Sequence, residues 1–183
     1  MTTSIEQPEG YLPQSPSTLA AYLSCVAEVA STLGGKPEDW TIREVGDGNL
    51  NLVFIVKGPL GGVAVKQALP YVRLVGESWP LPLTRAHYEH MALSEQARLT
   101  GSLVPRVIHY DQLQALIVME LLEPHIIMRR GMIAATVYPK FAEDISGFMA
   151  NTLFFTSDLA LPADRKKKMI AAFAGNTAFC NIT

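Results

Sequence analysis

The chain has 183 residues, 49% of them hydrophobic and 17% charged, with a formal net charge of -2. This composition is that of an ordinary soluble protein, and the near-neutral balance gives no support to nucleic-acid binding, which relies on a basic face to neutralise phosphates. Cys25 and Cys180 lack metal-ligand spacing, Glu6 and Glu9 stand where a basic leader would begin, and no apolar run reaches membrane-spanning length, so a reduced, cytoplasmic protein without a membrane segment is expected.

Met1 to Pro16 is polar and proline-rich and reads as a loosely held arm. The spacing of Leu19, Tyr22, Leu23, Val26, Val29, Ala30 and Leu33 predicts one helix over 19–33, capped by Ser17 or Thr18 and stopped by Gly34-Gly35. Strands are predicted over 40–45, 52–57 and 63–67, with Gly58-Pro59-Leu60-Gly61-Gly62 turning the second into the third. Val75 to Pro82, with two prolines, reads as an irregular ordered loop. A helix is predicted over 84–99, stopped by Gly101, then a second hairpin of 104–109 and 116–119 around Asp111-Gln112. Helices follow within 133–156, starting at or just after Pro139, and over 164–174. Phe179 and Ile182 close the chain as apolar residues without a visible partner.

Two features carry chemistry. The turn Gly46-Asp47-Gly48-Asn49-Leu50-Asn51 joins two predicted strands, and Lys66 follows in the apolar run Val63-Ala64-Val65. Alternation places Ala64 and Lys66 on one face of that strand and Val63 and Val65 on the other. A glycine turn of this kind can lie over nucleotide phosphates while a lysine on the third strand reaches them from below, as kinase-like enzymes hold ATP. An ammonium on a half-buried strand needs an anionic partner. Glu89 is the first choice and Glu95 the second, both on the following helix. His87, His90, His109 and His125 are scattered without metal-ligand pairing and read as surface or packing residues. The run Arg165-Lys166-Lys167-Lys168 reads as a solvated helix face.

The order of glycine turn, strand-three lysine, helix with a glutamate, two further strands and a connector matches the small lobe of the protein-kinase-like fold. Val45 to Phe54, Val65 to Arg73, Gly76 to Leu81 and Arg129 to Ile133 resemble the methylthioribose kinase family, whose members are roughly twice as long as this chain. The fold expected is therefore α+β: a small lobe with a five-stranded antiparallel sheet and packing helices, then the first helices of an incomplete large lobe. The domains expected are an arm and helix over 1–36, an ATP-binding small lobe over 37–123 and the start of a helical large lobe over 124–183.

The resemblance implies transfer of the ATP γ-phosphoryl group to the 1-hydroxyl of 5-methylthioribose in methionine salvage, with Mg2+ and a homodimer. It places Gly46, Gly48, Asn49 and Lys66 at the phosphates, with Glu89 as the carboxylate paired to Lys66, and the backbone of Glu120, Leu121 and Leu122 at the adenine edge, with Met119 lining the pocket. Asn51 stands where protein kinases carry a third glycine, a mild departure because asparagine tolerates left-handed angles. Trp79 and its loop either cover the site or staple the loop to the lobe. Arg129 and Arg130 read as solvated, with phosphate or a partner subunit as the alternative. Past the connector, where this fold carries its catalytic and metal loops, Asp144, Asp158 and Asp164 sit in no His-x-Asp or Asp-x-Glu context, so no catalytic residue or metal ligand is assigned and this chain alone is expected not to turn over substrate. The alternatives are a short, non-catalytic nucleotide-binding module and a related kinase acting on an amino alcohol or aminoglycoside.

Overall fold

The computed structural model describes residues 8–46 and 48–175. These divide between two units, Met1–Ser94 with Arg106–Leu121, and Glu95–Pro105 with Leu122–Thr183.

The first unit opens with two helices, α1 (Pro16–Ser24) and α2 (Ala27–Leu33). Ser15 caps α1, its backbone N–H donating to Thr18 Oγ1 at 2.9 Å and its own Oγ accepting from the Thr18 N–H at 3.3 Å, with Pro16 at the first position where no N–H is required. The single helix expected over 19–33 is thus two, with extended backbone at Val26 (φ -99°, ψ 100°) between them. The reason is phase. On a straight helix at about 100° per residue, Val29 would sit about 80° round from Leu19. Restarting at Ala27 lets Leu19, Leu23, Val29 and Leu33 all enter one core at 0% exposure. Gly34 (φ +67°) ends α2, and a Cβ there would lie 2.4 Å from Leu60 Cγ, so both the angle and the contact require glycine.

The sheet holds β1 (Thr41–Glu44), β2 (Asn51–Lys57), β3 (Gly62–Ala68), β6 (Val107–Asp111) and β7 (Leu116–Glu120), in the order β1-β2-β3-β7-β6. All neighbours are antiparallel. The α+β architecture with a five-stranded antiparallel sheet is therefore the one expected. Alternation decides its two faces: Leu52, Phe54 and Val56 of β2, Val63 and Val65 of β3, and Leu116 and Val118 of β7 turn toward α1 and α2 and are buried with them. The opposite faces of β2 and β3 are only partly buried.

Two local expectations are corrected. From Tyr11 to Gln14 the arm is tied to the end of β3, because Tyr11 is buried and its hydroxyl donates to Ala68 O at 2.7 Å. Gln67, the only polar side chain in the buried set of described residues, accepts from Gln14 N (2.8 Å) and donates to Leu12 O (2.9 Å) and Gln114 O (3.0 Å). Composition alone cannot show that a distant strand supplies these partners. Burial pushes the Tyr11 hydroxyl up to about 12. The second correction concerns residues 75–82, where β5 (Gly76–Pro80) pairs with β4 (Tyr71–Val72) through a bulged register. Pro80 lies at the end of this two-stranded ribbon, where its missing N–H interrupts little of the ladder.

Helix α3 runs Arg85–Thr100 and stops at Gly101, φ +60°. In the hairpin that follows, Asp111 Oδ1 accepts from Gln114 N at 3.0 Å and Ala115 takes φ +46° to enter β7.

The second unit contains α4 (Met128–Ile133), α5 (Phe141–Met149), which continues as a π-helical turn over Ala150–Phe154, and α6 (Ala163–Phe173). Helix α5 begins two residues after Pro139, as expected from proline's exclusion from a helix interior. Helix α4, over Arg129-Arg130, was not legible in the sequence. Phe179, Cys180 and Ile182 lie outside the described residues.

Candidate nucleotide site

On β3, Lys66 points away from the core and stands in a row between Val53 of β2 and Ile117 of β7, while Ala64 lies between Ile55 and Met119. A cation in so apolar a surrounding calls for a counter-charge. Glu89, in the second turn of α3, supplies it. Lys66 Nζ donates to Glu89 Oε1 at 2.6 Å and Oε2 at 2.8 Å, with side chains 28% and 35% exposed. An ammonium has three donors; Glu89 engages two. Glu95, the other candidate, is held by Arg98 at 2.5 and 3.0 Å, with Arg165 at 3.7 Å, and the Arg98 hydrogen bond keeps its carboxyl below the usual range.

The turn before β2 is closed by Val45 N donating to Val53 O at 2.7 Å. Asp47 lies outside the described residues. A Cβ on Gly48 would come 2.7 Å from Asn51 O, whereas one on Gly46 would meet nothing within 4 Å. Gly48 is thus required by the fold of the turn, and Gly46 borders open space. Asn49 is exposed, and its carbonyl accepts from Arg73 N at 2.8 Å. Asn51 differs from expectation: it is the first residue of β2 without a positive φ, and its Oδ1 accepts from Arg85 at 3.2 Å.

Arg85 is the residue that sequence reading missed. From the start of α3 its guanidinium donates to Leu69 O (2.8 Å), Pro82 O (3.2 Å), Leu50 O and Asn51 Oδ1. It thereby ties the end of the glycine turn to the segments after β3 and before α3. Burial lowers its pKa, while Tyr11 and Glu89 act in the opposite direction. An arginine opening a helix carries no spacing signal, so only the fold discloses this role. Arg73 adds a second tie, Nη1 to Glu44 Oε1 at 2.8 Å.

Glu120 ends β7 opposite Val63, and its N–H donates to Arg106 O at 2.9 Å. Leu121 follows it in the first unit, and Leu122, 42% exposed, opens the corresponding part of the second. Trp79 is 47% exposed on β5 and is not a buried staple. Away from Lys66, the His90 ring stacks on Tyr110 with centroids 4.3 Å apart; burial lowers the His90 pKa, with His87 adding to it. His109 meets the Tyr22 hydroxyl at 3.1 Å, and His125 is exposed.

The sequence is similar along its length to methylthioribose kinases. It is 48% identical over 184 aligned positions to the Methylthioribose kinase of Escherichia coli O45:K1 (strain S88 / ExPEC), covering 100% of this chain and 43% of that protein. Methylthioribose kinase 1 of Oryza sativa subsp. japonica is 44% identical over 176 positions, 96% of this chain and 41% of the relative. The Geobacillus kaustophilus (strain HTA426) Methylthioribose kinase is 45% identical over 143 positions, 77% of this chain and 36% of the relative. The chain thus spans about two fifths of the length of the curated relatives that it matches along most of its own length. No protein-family model matches it.

Proposed function

We propose, for a chain that belongs to the methylthioribose kinase family over about two fifths of its relatives' length, that it forms the nucleotide-holding part of an ATP-dependent sugar kinase. The reaction proposed for the whole enzyme moves the γ-phosphoryl group of ATP to the 1-hydroxyl of 5-methylthioribose, in methionine salvage. The relatives' names favour that acceptor over an amino alcohol or aminoglycoside.

The observation that carries this reading is the Lys66–Glu89 pair on the sheet face opposite the core. Glu89 fixes the ammonium, and its third donor suits a phosphate oxygen as a charge-assisted hydrogen bond. Small Ala64, with Val53, Ile55 and Met119 around it, suits the flat, apolar face of an adenine. In the proposal Gly46, Gly48 and Asn49 lie over the phosphates, the open space beside Gly46 admitting them. The backbone of Glu120, Leu121 and Leu122 meets the adenine edge; the Glu120 N–H is already engaged by Arg106, so the donors assigned to adenine are those of Leu121 and Leu122.

Mg2+ belongs to the reaction in this proposal as the ion that neutralises phosphate charge. Among the described residues no group of three or more His, Cys, Asp or Glu side chains could hold a metal, so no ligand is assigned and no step is derived through the ion. The small lobe over 37–123 and the helical start of a large lobe over 124–183 are likewise proposed, as are a homodimer and a cytoplasmic setting. No described helix is long and apolar enough to cross a membrane.

The test is ATP titration followed by thermal unfolding. At a hundredfold excess over Kd, binding adds about 2.7 kcal/mol to stability. Glu89→Gln retains an acceptor but removes the counter-charge, and is expected to weaken binding about fivefold, the loss of about 1 kcal/mol of ion pairing. A wild-type chain whose unfolding temperature ignores ATP would defeat the reading.

A further inference from the structure

Pro8, Leu83 and Leu113 form the apolar wall of a hollow of about 500 Å³ in the first unit, and His87, Tyr88 and Tyr110 form its ring-bearing wall. Small-molecule pockets have this make-up: a volume of about 300–1,000 Å³, a mostly apolar lining and a few polar groups that fix orientation. Among the described residues no Asp, Glu, Lys or Arg stands on the wall, so an ionic guest would find no counter-charge.

The fold holds these walls in place. Gln114 Nε2 donates to Gly10 O at 2.7 Å and ties the arm to the β6–β7 hairpin. Gly10, at φ +88°, approaches so closely that a Cβ there would lie 3.3 Å from Leu113 Cδ2. Tyr110 is braced by His90, ring on ring at an interplanar angle of 12°. His87 has its ring centroid 5.6 Å from that of Tyr88 and 6.1 Å from that of Tyr110. Its Nδ1 is shielded from water and, among the described residues, has no hydrogen-bond partner, although buried polar atoms are nearly always bonded. A half-turn about Cβ–Cγ exchanges nitrogen for carbon without moving the ring plane, so a guest in the hollow can recruit this atom. Thr84, His87 and Tyr88, all on the wall, are neighbours on one face at the start of α3, whereas Glu89 lies about 100° further round from Tyr88. Neither Lys66 nor the glycine turn lines the hollow.

We propose that this hollow is a second ligand site, for a neutral, flat aromatic compound carrying one N–H or O–H donor. The rings of His87, Tyr88 and Tyr110 meet its faces and edges, Pro8, Leu83 and Leu113 cover its apolar rim, and the His87 imidazole accepts its hydrogen bond. The proposal goes beyond the nucleotide reading and does not depend on it.

The experiment titrates the isotope-labelled full chain with indole, which has that chemistry, and with benzofuran, which has its shape without the N–H, and follows the amides by NMR. Saturable shifts at His87, Tyr88 and Tyr110 with a Kd below about 1 mM are expected for indole, and benzofuran should bind about fivefold more weakly. His87→Phe keeps an aromatic ring and should abolish that difference. Leu113→Asp, at a position 51% exposed, puts a charge on the wall and should weaken indole about tenfold. Leu74→Asp, at an exposed position of the first unit that is not on the wall, should leave its Kd unchanged. Circular dichroism establishes that each variant is folded. Shifts confined to other segments, indole and benzofuran bound alike by the parent, a Kd indifferent to Leu113→Asp, equal binding of an indole carboxylate, or displacement of indole by ATP would each overturn the proposal. So would a dimer in sedimentation velocity that Leu113→Asp converts to monomer, because the hollow would then belong to a second copy of the chain.

Discussion

Lys66→Met cuts ATP-dependent stabilisation to about half of the parent's or less while leaving the folding stability of the chain nearly unchanged. The two effects separate because the Lys66–Glu89 pair is about a third exposed, and water screens such pairs to less than about 1 kcal/mol of net stability. Methionine keeps the aliphatic stem that packs beside Val53 and Ile117 and removes only the charge. A charge-assisted hydrogen bond to phosphate contributes about 1.5–3 kcal/mol, so its loss raises Kd roughly ten- to a hundredfold. At a ligand concentration that stabilises the parent by about 2.7 kcal/mol, a hundredfold weaker variant gains about 0.4 kcal/mol. A thermal shift in Lys66→Met equal to the parent's would count against the assignment.

Arg85→Met has the opposite profile and lowers folding stability by about 2–3 kcal/mol, even without nucleotide. Its guanidinium satisfies three backbone carbonyls and Asn51 Oδ1. Removing the donors leaves those oxygens to whatever water can reach them, and an unsatisfied buried acceptor costs about 1–3 kcal/mol. In a unit of this size that corresponds to an unfolding temperature lower by about 10 °C. Because Arg85 holds the end of the glycine turn, nucleotide binding weakens as well, yet saturating ATP still raises the variant's unfolding temperature. Denaturant titration with and without ATP distinguishes this from Lys66→Met; unaltered stability in Arg85→Met would show that the ties are dispensable.

What could be read from the sequence followed from periodicity and turn chemistry. Strands β2 and β3 are runs rich in β-branched and other apolar residues on either side of a glycine-rich reversal, so their pairing was legible, and the two-residue period of a strand placed Lys66 on the face opposite Val63 and Val65. Glu89 was placed ahead of Glu95, and the geometry pairs Lys66 with Glu89, while Glu95 is held by Arg98 at the three-residue spacing that a helix brings together. The break at Val26 escaped detection because residues 19–33 keep an adequate helical pattern across it; the core, not local propensity, imposes the change of phase. The Tyr11 and Gln67 ties join residues more than fifty positions apart, beyond any local window. Two prolines argued against β5, yet an end position in a two-stranded ribbon tolerates a missing N–H.

In the proposed function ATP sits between the glycine turn and Lys66 on the open face of the sheet. Amide hydrogen exchange of the full chain, with and without saturating ATP, tests it most directly. Slowed exchange at Gly46 to Asn51 together with Leu121 and Leu122 is the predicted result. Protection confined to other segments, with these amides unchanged, would contradict it.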